Sequence, residues 1–528
     1  MAKNAAALRR VADDQREVIA FLGSPVVHGG TAVERIDTHI SVVFLASNRV
    51  YKLKRAVHYD YVDFSTLEQR RMACEAEIRV NRRSSPALYL GTVPVVRTDG
   101  GALALAGEGE VVEWLVKMVR FDQAGLFDKL ADCGDLTKEL IREVADAVAR
   151  LHGDAEIRAD NGGRAGMKWV IDGNLADRES QGSLFNSADV ARYRARVEAA
   201  LVAQGPVLDA RRHDGFVRQC HGDLHLRNIC LFEGRPALFD AIEFNDHITC
   251  CDVMYDIAFL IMDLLHRNLG DLANAVLNRY LAMTGNLGGL APLALFLSCR
   301  AAVRAKTAAR AATLQSDPDE ARRLGDAATR YLAEAGEFLA PATPRLVAVG
   351  GLSGSGKSTL AEGLAPGLGA PPGAVVLRSD VIRKRMFGVD PTAPLAPDAY
   401  STDVTADVYR QMMESAATVL AAGFTVIADA VHARPEERAA MEAVAIQMGL
   451  PFTGLWLDAP AAVLSARVRS RKNDASDADA TVLRDQLDYD LGAMDWRVVD
   501  VTGEAQEVLA DVAREPLGLP ARSRESTV

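Results

Sequence analysis

The segment from His221 to Asp240, HGDLHLRNICLFEGRPALFD, spaces three polar residue types in a way that suits one reaction. Asp223 follows His221-Gly222, Asn228 comes five residues after Asp223, and Asp240 comes twelve after Asn228. Phosphoryl transfer from ATP needs one carboxylate to orient or deprotonate the acceptor hydroxyl. It also needs an amide oxygen and a second carboxylate to hold the magnesium that bridges the phosphates. Asp223, Asn228 and Asp240 suit these roles in that order. Glu233-Gly234-Arg235-Pro236 reads as a turn between two short apolar runs, so a hairpin would set the loop beside the metal carboxylate. Any one of these residues alone reads as a turn former. The ordered set points to chemistry.

A second set lies further on. Leu346 to Val349 is a short apolar strand, followed by Gly351-Leu-Ser-Gly354-Ser355-Gly356-Lys357-Ser358 and Thr359 at the start of a helical pattern. This is the G-x-x-x-x-G-K-[ST] phosphate loop, in the strand–loop–helix setting that supports it. Its glycines let backbone N–H groups wrap phosphates at a helix N-terminus. Lys357 would reach the outer phosphates and Ser358 would bind magnesium.

The first set resembles the aminoglycoside phosphotransferase family, whose members fold like small protein kinases and carry an HGD…N…D pattern. The resemblance implies that Asp223 is the catalytic base and that Asn228 and Asp240 bind magnesium. Asp240-Ala-Ile-Glu243 replaces the Asp-Phe-Gly of protein kinases, which would bring Glu243 near the metals as well. The family's N-terminal lobe also needs a strand lysine on the phosphates and a helix glutamate to fix it. Lys52 and Lys54 lie on or just after an expected strand, Arg49 to Leu53. Being two apart, they face one side. Lys54 is the preferred phosphate ligand, and Glu77 is chosen over Glu75 as its partner. No G-x-G-x-x-G precedes this strand; only Gly29-Gly30 lie upstream. The run Val111 to Val119 leads to an expected adenine-reading hinge at Met118 to Arg120.

The second set resembles small P-loop kinases: gluconate kinase, shikimate kinase, polynucleotide kinase and zeta-toxin-like proteins. That resemblance makes Asp380 the base for an acceptor hydroxyl and Arg383 a substrate contact. It makes Asp429 the carboxylate that orients magnesium through water. Arg434 and Arg438 are further substrate candidates. Arg467 and Arg471, four apart on one helix face, would belong to a lid that closes on the transferring phosphoryl group.

These sites need elements to hold them. Helical spacing predicts a helix over residues 5–22. Strands are expected over Ile36 to Leu45, Val93 to Val96 and Leu103 to Leu105. A helix from Ser65 to Arg83 starts with a capping box, Ser65-x-x-Glu68. Leu136 to His152 is helical, residues 153–183 read as a loop or insertion, and residues 257–339 are almost wholly helical. Asp256 is expected to brace the catalytic loop, and His152 to be structural. Arg300, Arg304 and Lys306 form a basic cluster that reads best as a solvated face. Val375 to Leu377, Thr425 to Ala428 and Leu455 to Leu457 alternate with helices, which implies a doubly wound parallel sheet. Two prolines in EAGEFLAPATP mark a linker. The expected fold is therefore α/β plus α+β. A bilobal kinase-like domain spans residues 1–340, and a parallel-sheet P-loop domain spans 342–520.

Composition narrows the function. The chain has 528 residues, 49% apolar and 25% charged, which is ordinary for a globular protein. A net charge of −11 argues against nucleic acid as the main partner. There is no stretch of eighteen apolar residues and no apolar leader. Seven cysteines without a C-x-x-C pair read as reduced thiols in a cytoplasmic protein. The expected function is ATP- and magnesium-dependent phosphorylation of a small-molecule hydroxyl by two kinase-type modules. Two other classes compete: a nucleotide sensor in which one module gates the other, and a toxin-like or nucleic-acid-end kinase.

Overall fold

The structure is a computed structural model that describes residues 13–59, 62–180, 184–391, 393–470, 475–514 and 517. It divides into two compact units, Met1–Trp169 with Leu208–Leu260, and Val170–Val207 with Ile261–Val528.

In the first unit, a short helix α1 (Arg16–Leu22) precedes the strands β1 (Val33–Asp37), β2 (Ser41–Ala46) and β3 (Arg49–Lys54). The single strand expected from Ile36 to Leu45 is thus two. Thr38 donates to the Ser41 carbonyl and turns the chain between them. The helix expected over 5–22 begins at Arg16 among the described residues. Helix α2 (Leu67–Asn81) follows, then β4 (Tyr89–Arg97), β5 (Leu103–Leu105) and β6 (Glu110–Val119). The sheet order is β1-β2-β3-β6-β4-β5, all pairs antiparallel.

Both faces of this sheet are covered, which explains the apolar density of its strands. Val42, Phe44, Tyr51, Leu53 and Leu115 pack on the α1 side. Val50, Val116 and Met118 pack with Cys74 and Ile78 of α2. Lys52 and Lys54 share the face of Val50, so they point toward α2. The helix cap lies one residue beyond its expected place. Thr66 Oγ1 accepts from the Gln69 N–H, and Gln69 Oε1 accepts from the Thr66 N–H. Such a cap contributes about 1 kcal/mol.

Next come α3 (Phe127–Cys133), α4 (Lys138–Gly153), α5 (Gly163–Ser180) and α6 (Ser187–His213). Residues 163–180, expected as loop, are helical, because Met167, Ile171 and Leu175 recur at helical spacing and are buried. Strand β7 (Val217–Gln219) leads to the HGD segment. The hairpin of β8 (Ile229–Phe232) and β9 (Arg235–Leu238) closes on Glu233-Gly234, with φ of 52° and 76°. Positive φ at both positions is the tight turn that matches strand twist. Strand β10 (Cys250–Asp252) pairs with β7 and opens α7 (Val253–His266).

The second unit continues with α8 (Gly270–Thr284), α9 (Leu293–Leu314) and α10 (Pro318–Glu337). The basic cluster on α9 is not a solvated face. Arg300 is buried, Arg304 lies 5.6 Å from the Tyr331 ring centre, and Lys306 donates to the Gly173 carbonyl. Then β11 (Leu346–Gly351), α11 (Lys357–Leu364), β12 (Val375–Arg378), α12 (Ser379–Met386), α13 (Thr402–Ala421), β13 (Val426–Asp429), α14 (Pro435–Gln447), β14 (Phe452–Asp458), α15 (Ala461–Ser470), α16 (Ala480–Leu487), β15 (Arg497–Asp500) and α17 (Ala505–Arg514) complete the chain. The five strands run parallel in the order β12-β13-β11-β14-β15. Central β11 is buried throughout. Asn278 of α8 accepts from the Val376 N–H at 2.7 Å and donates to the Ala374 carbonyl, so β12 is hydrogen-bonded on its outer edge.

The fold is mixed α/β, with an N-terminal kinase-like part and a C-terminal parallel sheet of the P-loop type. Among the described residues no helix is long and apolar enough to cross a membrane. All seven cysteines are free; Cys133, at the end of α3, is exposed and the other six are buried.

Candidate active sites

The first site lies where β3, α2 and the HGD loop meet. Asn228 Nδ2 donates to both the backbone carbonyl and the carboxylate of Asp223, each at 2.9 Å. His225 Nε2 lies 3.3 Å from the same carboxylate. His221 ties this loop to the segment carrying Asp240. Its Nε2 bonds the Phe239 carbonyl at 3.0 Å, and its own carbonyl accepts from the Ile242 N–H. Since Nδ1 accepts from the Asp223 N–H, the proton sits on Nε2. Burial holds the His221 pKa below its ordinary value and keeps the ring neutral. Asp256, fully buried on α7, accepts from the N–H groups of His221 and Gly222 and from His152 Nε2 at 3.1, 2.8 and 3.1 Å. This carboxylate shapes the turn at Gly222, where φ is 84°.

Glu77, not Glu75, meets the lysines. Its Oε1 lies 2.9 Å from Lys52 Nζ and its Oε2 lies 2.6 Å from Lys54 Nζ, while Glu75 pairs with Arg71 at the surface. The preference for Lys54 as the outward lysine is reversed. Lys52 reaches Asp240 at 2.5 Å, whereas Lys54 is buried and takes the Glu243 carboxylate. Glu243 is therefore spent on Lys54 instead of standing in the open beside Asp240. At the expected hinge, the N–H groups of Val119 and Arg120 serve the carbonyls of Leu88 and Asn48. Tyr89, which the sequence did not single out, accepts from the Asp240 N–H at 2.9 Å and holds that residue at φ 60°.

The second site sits at the carboxyl ends of the parallel strands. A Cβ on Gly354 would lie 2.6 Å from the Leu464 carbonyl oxygen, and one on Gly351 2.7 Å from that of Leu457; both residues have positive φ. Only glycine permits this loop to lie so close to its neighbours. Ser355 is buried within the loop, Gly356 caps α11, and Thr359 is exposed on its first turn. Lys357 Nζ donates to the carbonyls of Gly351 and Leu352. Ser358 Oγ lies 2.6 Å from Asp429 at the end of β13, and Arg378 Nε lies 3.5 Å from the same carboxylate. Asp380 is half-buried at the start of α12, and burial raises its pKa despite nearby Arg378 and Lys357.

The expected substrate arginines divide. Arg383 is buried, donates to the Ala399 carbonyl and Thr405, and lies against the Tyr400 ring. Arg438 is likewise buried and donates to four carbonyls, those of His432, Ala433, Leu491 and Ala493. Both are committed to shaping loops. Arg434 is exposed at the start of α14. Arg467 donates to the Val501 carbonyl, and Arg471 lies outside the described residues. Asp477 collects Lys384 Nζ, the Leu395 N–H and the Tyr400 hydroxyl at 2.9, 3.0 and 2.6 Å. No sequence pattern marks Asp477, which sits in a run of aspartate and alanine.

Two kinase-type modules in one chain define a phosphotransferase enzyme. Residues 45–296 match the phosphotransferase enzyme family, and residues 346–490 match an AAA domain model of the P-loop type. An uncharacterized protein of Mycobacterium tuberculosis is 31% identical over 470 residues, covering 86% of this chain and 90% of its own, and a Mycobacterium bovis protein matches equally. The chain belongs to the family of these mycobacterial proteins. Among solved structures, a choline/ethanolamine kinase family protein from Mesorhizobium loti aligns at 14% identity over 61% of this chain and 98% of its own, with a TM-score of 0.37. A sugar kinase from Janibacter aligns at 23% identity over 32% of this chain and 92% of its own, with a TM-score of 0.25.

Proposed function

We propose that each module transfers the γ-phosphoryl group of ATP to a hydroxyl group of a small molecule such as a sugar or polyol. Residues 1–340 form one module and residues 342–520 the other. The observation that carries the reading is that Asn228 holds Asp223 and Lys52 bridges Glu77 and Asp240, with His221 tying the two segments together; these are the residue types that phosphoryl transfer uses. Asp223 accepts the acceptor's proton. Lys52, fixed by Glu77, binds the nucleotide phosphates. Lys54 is withdrawn from that role by its burial.

In the second module, the loop from Gly351 to Thr359 cradles phosphates with its N–H groups, and Lys357 leaves its carbonyls to reach them. Asp380 takes the acceptor proton there. Arg467 and Arg471 belong to the lid, and Arg434 is the exposed arginine available to a substrate. Asn228 with Asp240, and Ser358 with Asp429, offer the oxygen donors that magnesium takes, and a cation already sits against Asp240 in the form of Lys52. Magnesium held there would neutralise charge on the transferring phosphoryl group. Unpaired cysteines suit a cytoplasmic setting.

The test is ATP turnover across sugars, polyols and aminoglycosides with wild type, Asp223→Ala and Lys357→Ala. A compound that stimulates turnover, with one variant abolishing it, assigns that module to that compound. No stimulation by any compound, with ATP still bound, sinks the reading in favour of a nucleotide sensor.

A further inference from the structure

Five charged side chains alternate in one line: Asp240, Lys52, Glu77, Lys54 and Glu243. A kinase lobe of the kind proposed above needs only the first three. The exposure along the line is graded. The Asp240 side chain is 47% exposed and Lys52 14%, while Glu77, Lys54 and Glu243 are 1%, 1% and 5%. One end of the line therefore opens to a ligand and the other is sealed.

The sealed end is attached to the segment that carries Asp240. Each residue of that segment is gripped separately. Tyr89 holds the Asp240 N–H, Asn81 exchanges hydrogen bonds with the Ala241 N–H and carbonyl, His221 takes the Ile242 N–H, and Lys54 takes Glu243. Phe64 lies 5.0 Å below the Lys54 ammonium and meets Phe244 edge to face, so the pair is walled by rings. Glu77 uses one oxygen for each lysine. If Lys54 were to leave for a phosphate, Glu77 and Glu243 would both lose a buried partner, which is strongly unfavourable. If Lys52 leaves, Glu77 keeps Lys54.

We propose that Lys54 and Glu243 are positioning residues: a second, buried ion pair that anchors the Asp240 segment to β3 and α2 and holds Glu77 in place while Lys52 exchanges Asp240 for a phosphate. This rests on reading the first site as a nucleotide and magnesium site. With a cation held at Asp240, the Lys52 ammonium would be free to turn to the nucleotide, and the sealed pair would keep Glu77 and Glu243 from following it.

The probe is fluorescent mant-ATP bound to the full-length chain carrying Lys357→Ala, which weakens the second site. Two quantities are read: the magnesium concentration giving half-maximal binding, and the nucleotide Kd at saturating magnesium. Glu243→Gln and Lys54→Met are expected to raise the magnesium half-point roughly ten- to a hundredfold, the usual cost of losing a group that orients a metal ligand. The Kd at saturating magnesium should stay within about twofold, while Lys52→Met weakens it. Glu243→Asp keeps the charge but shortens the side chain. It is expected to fold and to shift the half-point in the same direction. A purely structural pair would lower the melting temperature and leave the magnesium half-point of the folded fraction unchanged, and that result overturns the proposal. So does a Lys54→Met variant that loses affinity at saturating magnesium as Lys52→Met does. If the Lys357→Ala chain itself shows no magnesium-dependent binding, the reading of the site fails first, and the inference built on it falls with it.

Discussion

Ser358 Oγ lies 2.6 Å from a carboxylate oxygen of Asp429 and links the helix after the phosphate loop to the end of the neighbouring strand β13. The two residues are far apart in sequence and adjacent only because β11 and β13 pair in parallel. Asp429→Asn keeps the shape and removes the charge. We expect it to weaken magnesium-dependent ATP binding at this loop by roughly ten- to a hundredfold. Isothermal titration of chains carrying Lys52→Met, which suppresses the first site, measures this. Unchanged affinity would remove Asp429 from the metal's surroundings.

Asp223 stands beside Asn228, with its carboxylate partly open. Asp223→Asn should lower turnover by the first module about 10²- to 10⁴-fold, the contribution of a positioned proton acceptor. ATP affinity should change little. A parallel fall in both would mean that the variant had disturbed nucleotide binding instead.

Asp256 accepts three hydrogen bonds in a buried site and shapes the backbone at His221 and Gly222. Asp256→Ala leaves those donors without a partner. Bonds to a charged group contribute about 1.5–3 kcal/mol each and do not add simply, so we expect a loss of at least about 2 kcal/mol. Denaturant unfolding gives the value, and a neutral result would show that the loop holds its shape without Asp256.

Burial shifts two groups in opposite directions, Asp380 up and His432 down, and each predicts a loss in acid. Burial raises the Asp380 pKa, so its base form disappears at a higher pH than an ordinary carboxylate's. Turnover by the second module, followed in an Asp223→Ala chain, should fall with acidification at a midpoint above the usual value of about 3.9. A midpoint at or below that value would assign proton acceptance elsewhere.

His432 is fully buried between Tyr409 and Trp496, with ring centroids 5.5 and 5.1 Å away, and burial holds its pKa down at about 3. An unfolded histidine, at about 6.5, takes a proton that the folded one refuses. The unfolded state therefore binds more protons between these values, and stability falls as pH drops from about 6.5 toward 3. His432→Leu should flatten this limb of the melting temperature against pH. A limb of undiminished slope would place its origin in other groups.

Local sequence carried the motifs but not their depth. The phosphate loop and the HGD…N…D spacing were legible because each packs its chemistry into a short stretch. Lys52 and Lys54 were not separable, since a period of two puts both on one face. Only the third dimension shows that Lys54 is sealed. Helix α5 was hidden by the glycines at its start and by Asp172, Gly173 and Asn174 between its buried Ile171 and Leu175. Strand β15 was missed because three of its four residues are exposed and give no apolar run. Tyr89 and Asp477 act through contacts with residues far along the chain, which no local pattern announces.

The burial of six cysteines has a practical side. Burial raises the Cys74 and Cys230 thiols to about 12 and Cys250 to about 11, leaving almost no thiolate there at neutral pH. Cys133 alone faces solvent. A maleimide dye added to the native, unmodified chain therefore has one address, at the end of α3. The protein carries its own site-specific label position, with no cysteine-free background to engineer.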